Sequence, residues 1–189
     1  MPDKTLIHQG NLISLYKERV DFPNGGHTYF DLVKHPGGAV IAAINDKNEI
    51  CLLKQWRHAI GQEIWELPAG CLEPNEPPLT TAQRELEEEA GIIAAHWQSL
   101  GEITTSPGFS NEILYLYEAR ELSEGVVKLD DAEQLEAHWI PLAKVQEMAK
   151  TGGIIDGKTL ALLYRLSWGK GVYSFALSHA LAISCSDAL

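Results

Sequence analysis

Glu85, Glu88 and Glu89 lie within the run Arg84-Glu85-Leu86-Glu87-Glu88-Glu89. On a helix they stand at i, i+3 and i+4, so three carboxylates share one face. Like charges at that spacing repel and weaken the helix unless a cation sits among them. Arg84 faces Glu88 at i, i+4 and offsets part of the repulsion. A divalent cation would offset far more. A hard, oxygen-rich set of this kind suits magnesium or manganese, which keep several waters and also touch substrate phosphates. An isolated run of glutamates is ordinarily a solvated helix face, so the surrounding positions decide between the two readings.

Those positions are specific. Gly70, Glu76, Arg84, Glu85, Glu88, Glu89 and Gly91 fit G-x5-E-x7-R-E-U-x-E-E-x-G-U, with Leu86 and Ile92 at the apolar U positions. This resembles the complete Nudix box, with no departure at any fixed position. The resemblance implies an α/β fold, a Nudix-type α/β/α sandwich with a mixed central β-sheet. It also implies a metal-dependent hydrolase of phosphorus anhydrides that uses Mg2+, with Mn2+ as an alternative. Glu85, Glu88, Glu89 and the backbone carbonyl of Ala69 are the implied metal ligands, and Glu85 and Glu88 belong to the catalytic group. Glu76 reads as a residue that steadies the loop or pairs with Arg84.

The flanks narrow the resemblance. Gln55-Trp56-Arg57, followed by Trp65-Glu66-Leu67-Pro68-Ala69-Gly70, is similar to the ADP-ribose and nucleoside-diphosphate-sugar branch of the family. There the Arg lies near the substrate phosphates, and the Glu lies near metal and ligand. A planar guanidinium suits bidentate phosphate contact, although a surface charge is the ordinary reading of Arg57. Beyond the box, Ser106-Pro107-Gly108-Phe109-Ser110-Asn111-Glu112 resembles the loop that follows it in ADP-ribose pyrophosphatases. By itself a Pro-Gly pair is a turn. The resemblance makes Glu112 and the Ser106–Gly108 backbone contacts to the terminal ribose or the pyrophosphate. In relatives an acidic loop supplies a glutamate that orients or deprotonates the attacking water. Glu133 fits that role, with Asp130 and Asp131 as alternatives. Tyr29, Phe30, Trp56 and Phe109 are available to stack on a base.

The implied reaction is hydrolysis of the pyrophosphate bond of ADP-ribose or a related nucleotide sugar, giving a nucleoside monophosphate and a sugar phosphate. A dinucleoside polyphosphate or nucleoside triphosphate hydrolase is the alternative within enzymes. A non-catalytic ADP-ribose sensor is the alternative outside them, but such a module would be expected to lose box carboxylates.

The elements that must position these groups can be read from pattern. Pro77-Pro78 marks the approach to a helix from about Leu79 to Ala90, with Thr80 or Thr81 as cap and Gly91 as its stop. Leu86 and Ala90 would face inward. Gly70 allows a backbone turn that a side chain would block. Ala39–Ile44, Glu49–Trp56, Trp97–Ile103, Ile113–Ala119 and Leu135–Ile140 read as strands, and Pro141–Lys150 as an amphipathic helix. Residues 1–35 form an N-terminal β segment with a hairpin turned at Phe22–Gly26. By resemblance it makes dimer contacts and implies a homodimer. Residues 36–169 are the hydrolase domain, and residues 170–189 are a tail to which no function attaches.

Gly152-Gly153-Ile154-Ile155-Asp156-Gly157-Lys158-Thr159 matches G-x-x-x-x-G-K-[ST] letter for letter. A phosphate-binding P-loop needs a strand before it and a parallel sheet around it. Here a helical pattern precedes it, so it reads as a loop in which Asp156 or Thr159 starts a helix through Leu166.

The whole chain sets outer limits. Its 189 residues allow one domain, and 45% hydrophobic with 22% charged residues is ordinary globular composition. A net charge of −11 disfavours nucleic acid and anionic membrane as partners, while a small phosphorylated substrate remains compatible through bound metal. Cys51, Cys71 and Cys185 are odd in number and lack metal-ligand spacing, which points to free thiols and a cytoplasmic setting. The start carries no signal-peptide pattern and no run is long enough to span a membrane. The histidines form no H-E-x-x-H, and Cys71 has no His partner visible in the sequence.

Overall fold

The computed structural model describes residues 4–129 and 134–168. The N-terminal segment forms an antiparallel sheet of three strands, β1 (Lys4–Gln9), β2 (Ser14–Asp21) and β3 (His27–Lys34). The expected hairpin is the β2–β3 pair, closed where Phe22 N–H donates to Gly26 O at 2.7 Å. β1 adds a third strand on β2.

The central layer starts with β4 (Gly38–Ala43), whose GAVIAA sequence is buried at every position. Strand side chains alternate between faces, so one wholly apolar strand serves two cores. Val40, Ala42 and Ile44 join Leu116, Val145 and Leu162 on one side. Ala39, Ile41 and Ala43 join Ala82, Leu86 and Ala119 on the other. The first core is covered by α2 (Leu142–Thr151) and α3 (Gly157–Trp168), and the second by α1 (Pro78–Ala90). Helices on both sides of a buried sheet make the α/β/α sandwich.

The central layer consists of two sheets. β4 pairs in parallel with β9 (Ile113–Glu124) and antiparallel with β7 (Ala69–Cys71), while β8 (Ile92–Thr104) pairs antiparallel with β9, which makes a mixed four-stranded sheet. β5 (Glu49–Arg57) lies between β6 (Gln62–Glu66) and β10 (Leu135–Pro141) in an antiparallel three-stranded sheet. The Ile44–Ile50 bridge links the two across the Asp46–Asn48 turn. β6 and β7 are separated only by Leu67-Pro68, so the Arg57–Glu66 hairpin and the box share one short backbone link. Among the described residues, no helix is long and apolar enough to cross a membrane.

The box helix starts one residue before the expected position, with Pro78 in its first turn. Neither expected threonine caps it through its side chain. Thr81 is buried and donates its hydroxyl to Glu76 Oε2 at 2.7 Å. The Pro77-Pro78 pair removes backbone N–H groups that a cap would otherwise have to satisfy. At the other end Gly91 adopts φ 63°, ψ 35°, and its N–H caps the Leu86 and Glu87 carbonyls.

Candidate active site

Arg84 organises the acidic face. Its Nε and Nη2 each donate to Glu76 at 3.0 Å, and Nη2 also donates to the Cys71 carbonyl at 3.2 Å. Its Nη1 donates to Glu85 at 2.7 Å and to Glu88 at 3.1 Å. A planar fork thereby ties the loop before the helix to two carboxylates on it. Hydrogen bonds from Arg84 hold the Glu76 carboxyl far down, at about 2. A carboxyl depressed in the fold stabilises the fold above its unfolded value and loses that contribution as pH falls through the folded one. Glu76→Gln is therefore expected to lower Tm by about 5 °C near neutrality. The gap to wild type should close as pH falls from about 4.5 towards 2 in thermal melts.

Glu85 and Glu89 are fixed by the β7 backbone. A Cβ on Gly70 would lie 1.9 Å from the Glu85 carboxyl carbon, so glycine is needed here for the close approach of a side chain. The expected backbone-turn role of Gly70 is thus corrected. Its φ is not in the left-handed region, and it stands in register with Ala39 on β4. Glu89 is 4% exposed and accepts the Ala69 N–H at 2.9 Å. Glu88 is the more open carboxylate, and its backbone carbonyl accepts the Lys128 N–H at 2.9 Å.

The three glutamates thus gather at one end of the box helix around β7, with oxygen donors and a surplus of negative charge. As the side chains stand, no three His, Cys, Asp or Glu residues among those described form a ready cation-binding group, and Arg84 donates to two of the three box glutamates. The carboxylates with the nearby Ala69 carbonyl still fit a hard divalent ion by charge and donor type. The cradle that only glycine leaves for Glu85 is the structural sign of that fit.

Glu66 is enclosed by cations. It is 1% exposed, and both of its oxygens are engaged. Arg57 donates Nε to Oε1 at 2.6 Å and Nη2 to Oε2 at 2.7 Å, and Lys158 donates to Oε2. Burial pushes the Glu66 carboxyl up, but the Arg57 hydrogen bonds and the Lys158 charge outweigh it and the net displacement is downward. Both oxygens of Glu66 thus orient cationic partners, and the side chain of Arg57 is partly exposed. Lys158 is the residue that sequence reasoning missed. It lies 92 positions from Glu66, and its only signal was a motif that belongs to another fold.

The loop after β8 is clipped to the N-terminal sheet. Val33 donates to the Phe109 carbonyl at 2.7 Å, and the His35 N–H donates to Asn111 Oδ1 at 2.8 Å. Ser106 offers its carbonyl to Phe109 and Ser110 within the turn, while Gly108 faces open space. Glu112 accepts the Thr105 hydroxyl at 2.5 Å and lies 3.4 Å from His35 Nδ1. Glu112, Thr104, Thr105, Asp156 and Lys158 line a cavity of about 500 Å³, so Lys158, the partner of Glu66, faces the same space as Glu112. A second cavity, about 700 Å³, lies on the Arg84–Glu85 side against Asn11 and Leu12. Trp56, Tyr29, Phe30 and Phe109 are all exposed. Glu133, Asp130 and Asp131 lie outside the described residues, as does the 170–189 tail.

Cys71 does have a histidine neighbour, which corrects the reading from sequence. His35 Nε2 is 3.9 Å from its sulfur. The contact does not make a nucleophile, because burial first, then Glu85 and Glu112, push the thiol up. Asp156 starts α3, accepting the Thr159 N–H at 3.0 Å, and α2 precedes that loop, so the P-loop look-alike is a helix cap.

The NUDIX domain family matches residues 34–163, beginning at the last residue of β3. The chain is 39% identical over 158 residues to the ADP-ribose pyrophosphatase of Bacillus subtilis (strain 168), covering 82% of this chain and 85% of that protein. It is 38% identical over 160 residues to the ADP-ribose pyrophosphatase of Mycobacterium tuberculosis, covering 82% and 76%. A crystal structure of an ADP compounds hydrolase superposes with a TM-score of 0.78 at 18% identity, over 88% of this chain and 92% of that one, a likeness of fold. Box geometry, fold and sequence agree, and the chain belongs to the Nudix family.

Proposed function

We infer that this enzyme hydrolyses the pyrophosphate bond of a nucleoside diphosphate sugar, with ADP-ribose as its substrate and Mg2+ as its cofactor. The observation that carries the reading is the convergence of two parts. One is an acidic helix face set against β7, and the other is the Arg57–Glu66–Lys158 cluster, whose Lys158 lines a cavity with Glu112. Two relatives at 39% and 38% identity are ADP-ribose pyrophosphatases.

Glu85, Glu88, Glu89 and the Ala69 carbonyl would hold the divalent ion, with Mn2+ an alternative to Mg2+. When bound, that ion neutralises phosphate oxygens and lowers the pKa of a nearby water. The protein's own residues do the positioning. Arg57, locked by Glu66, offers its remaining N–H groups to the diphosphate. Arg84 Nη1 donates to both Glu85 and Glu88 and so holds the two carboxylates in position. Water attacks one phosphorus, the P–O bond to the bridging oxygen breaks, and that oxygen leaves on the second phosphate. The proton passes to a carboxylate, for which Glu133 is the candidate. Glu112 and the Ser106–Gly108 backbone would contact the terminal sugar.

The exposed apolar side chains of the N-terminal sheet, among them Leu6, Ile7, Tyr29 and Phe30, support a homodimer through that sheet. The free thiols of Cys51 and Cys71 suit a cytoplasmic setting.

The test is to incubate pure protein and Mg2+ with ADP-ribose, GDP-mannose, UDP-glucose, dinucleotides and nucleoside triphosphates, and to identify products by chromatography. AMP and ribose 5-phosphate from ADP-ribose are expected. Cleavage of triphosphates alone would overturn the substrate assignment.

A further inference from the structure

The letters Asp156-Gly157-Lys158-Thr159 have no part in a P-loop here, yet all three side chains act on the backbone link that leads into the box. Thr159 is fully buried, accepts the Leu67 N–H at 2.8 Å, and donates its hydroxyl to Asp156 Oδ2 at 2.6 Å. Lys158 donates to Glu66 and lies 3.1 Å from Asp156 Oδ1. Glu66 in turn holds two of the five N–H groups of Arg57.

The cluster contains two cations, Arg57 and Lys158, and two anions, Glu66 and Asp156. Only Arg57 reaches well into solvent. Its side chain is 41% exposed, against 16% for Lys158, 15% for Asp156 and 1% for Glu66. The Arg57 guanidinium is therefore the member that presents the cluster's charge most openly, while Lys158 and Asp156 meet the cavity beside Glu112. If Glu66 had no other partner, it would form a closed, neutral pair with Arg57, and an anionic ligand would meet little net charge. Lys158 takes up part of the Glu66 charge from behind and leaves the guanidinium more positive at short range. Asp156 works in the opposite sense by drawing on Lys158 and standing near the same cluster.

We propose that Lys158 and Asp156 are positioning residues that set the effective charge of Arg57, and thereby the affinity of the site for the diphosphate of its substrate. The proposal rests on the reading above that Arg57 meets the substrate diphosphate. It gives a sign that a scaffolding role would not. Asn at position 156 keeps both acceptor contacts to Thr159 and the helix cap, but removes a negative charge. Asp156→Asn should therefore bind an anionic substrate more tightly.

The experiment measures ADP-ribose binding calorimetrically in EDTA, where turnover does not intervene, and kcat and KM separately with Mg2+. For Lys158→Met, Kd and KM are expected to rise about tenfold, with most of the loss in KM. Lys158→Arg should return both to within about threefold of wild type, because it restores the cation, and Asp156→Asn should lower Kd about twofold. Wild-type Kd retained in Lys158→Met, or weaker binding in Asp156→Asn, overturns the proposal. If Lys158→Met does not fold, the direction of change in Asp156→Asn decides. Arg57→Gln separates the two layers. Unchanged Kd in that variant, with wild type still cleaving ADP-ribose, removes the Arg57 role and the proposal with it. A wild type that neither binds nor cleaves ADP-ribose overturns the functional reading itself.

Discussion

Glu88→Gln is expected to lower Mg2+-dependent turnover about 10³-fold while changing Tm by about 2 °C or less. Glu88 is the most open of the three box carboxylates, and the side-chain partner it shows is Arg84 at 3.1 Å. Its structural contact to Lys128 runs through the backbone and survives substitution. Glutamine keeps the shape and one acceptor oxygen but loses the charge. An exposed i, i+4 pair contributes only a few tenths of a kcal/mol to stability. One anionic ligand to a divalent ion at a phosphoryl-transfer site is worth about 4 kcal/mol in the transition state. Turnover and thermal melts, measured on the same preparation with a Mg2+ titration, check both halves. Full activity in this variant would remove Glu88 from the metal site.

Gly70→Ala is expected to lower turnover about 100-fold through a methyl group that touches no substrate. The new Cβ would sit 1.9 Å from both Cδ and Oε1 of Glu85. Something must move, and the backbone is the stiffer partner. Gly70 is in register with Ala39, and its carbonyl packs closely beside Gly38. Glu85 is displaced instead, by an ångström or more, and misplacement on that scale costs about 10²-fold. A double-mutant cycle separates this from general destabilisation. In a Glu85→Ala background the added methyl has no carboxylate to strike, so the Tm loss caused by Gly70→Ala should largely vanish there. An equal loss in both backgrounds would show that the backbone, not Glu85, needs the glycine.

Local patterns were the legible part. Ala39–Ile44 reads as a buried strand because six apolar residues follow one another, and the structure buries all six, with β4 starting one residue earlier and ending one earlier. The end of α1 reads at Gly91 because a helix stop requires a left-handed residue, and Gly91 takes that conformation. The start of α1 was less legible. The threonines looked like caps, but Glu76 reaches Thr81 and Arg84 and draws them into a different network. The surroundings of Glu66 were illegible for a similar reason. Its place beside the box is visible in the chain order, but its burial and its two cationic partners, Arg57 and Lys158, are not.

For this protein the sequence by itself determined the chemistry of the box. Helical period places three carboxylates on one face, and the spacing of Gly70, Arg84 and Gly91 admits one arrangement of strand, loop and helix around them. Tertiary structure alone decided what each group faces. It placed Glu85 beneath Gly70, buried Glu66 between Arg57 and Lys158, set His35 beside Cys71, and joined the Glu112 loop to the start of α3 around one cavity. Periodicity and propensity act over a few residues and leave their mark in the chain order. Charge compensation and close contact act across space, between residues as far as 92 positions apart, and leave no such mark until the chain has folded.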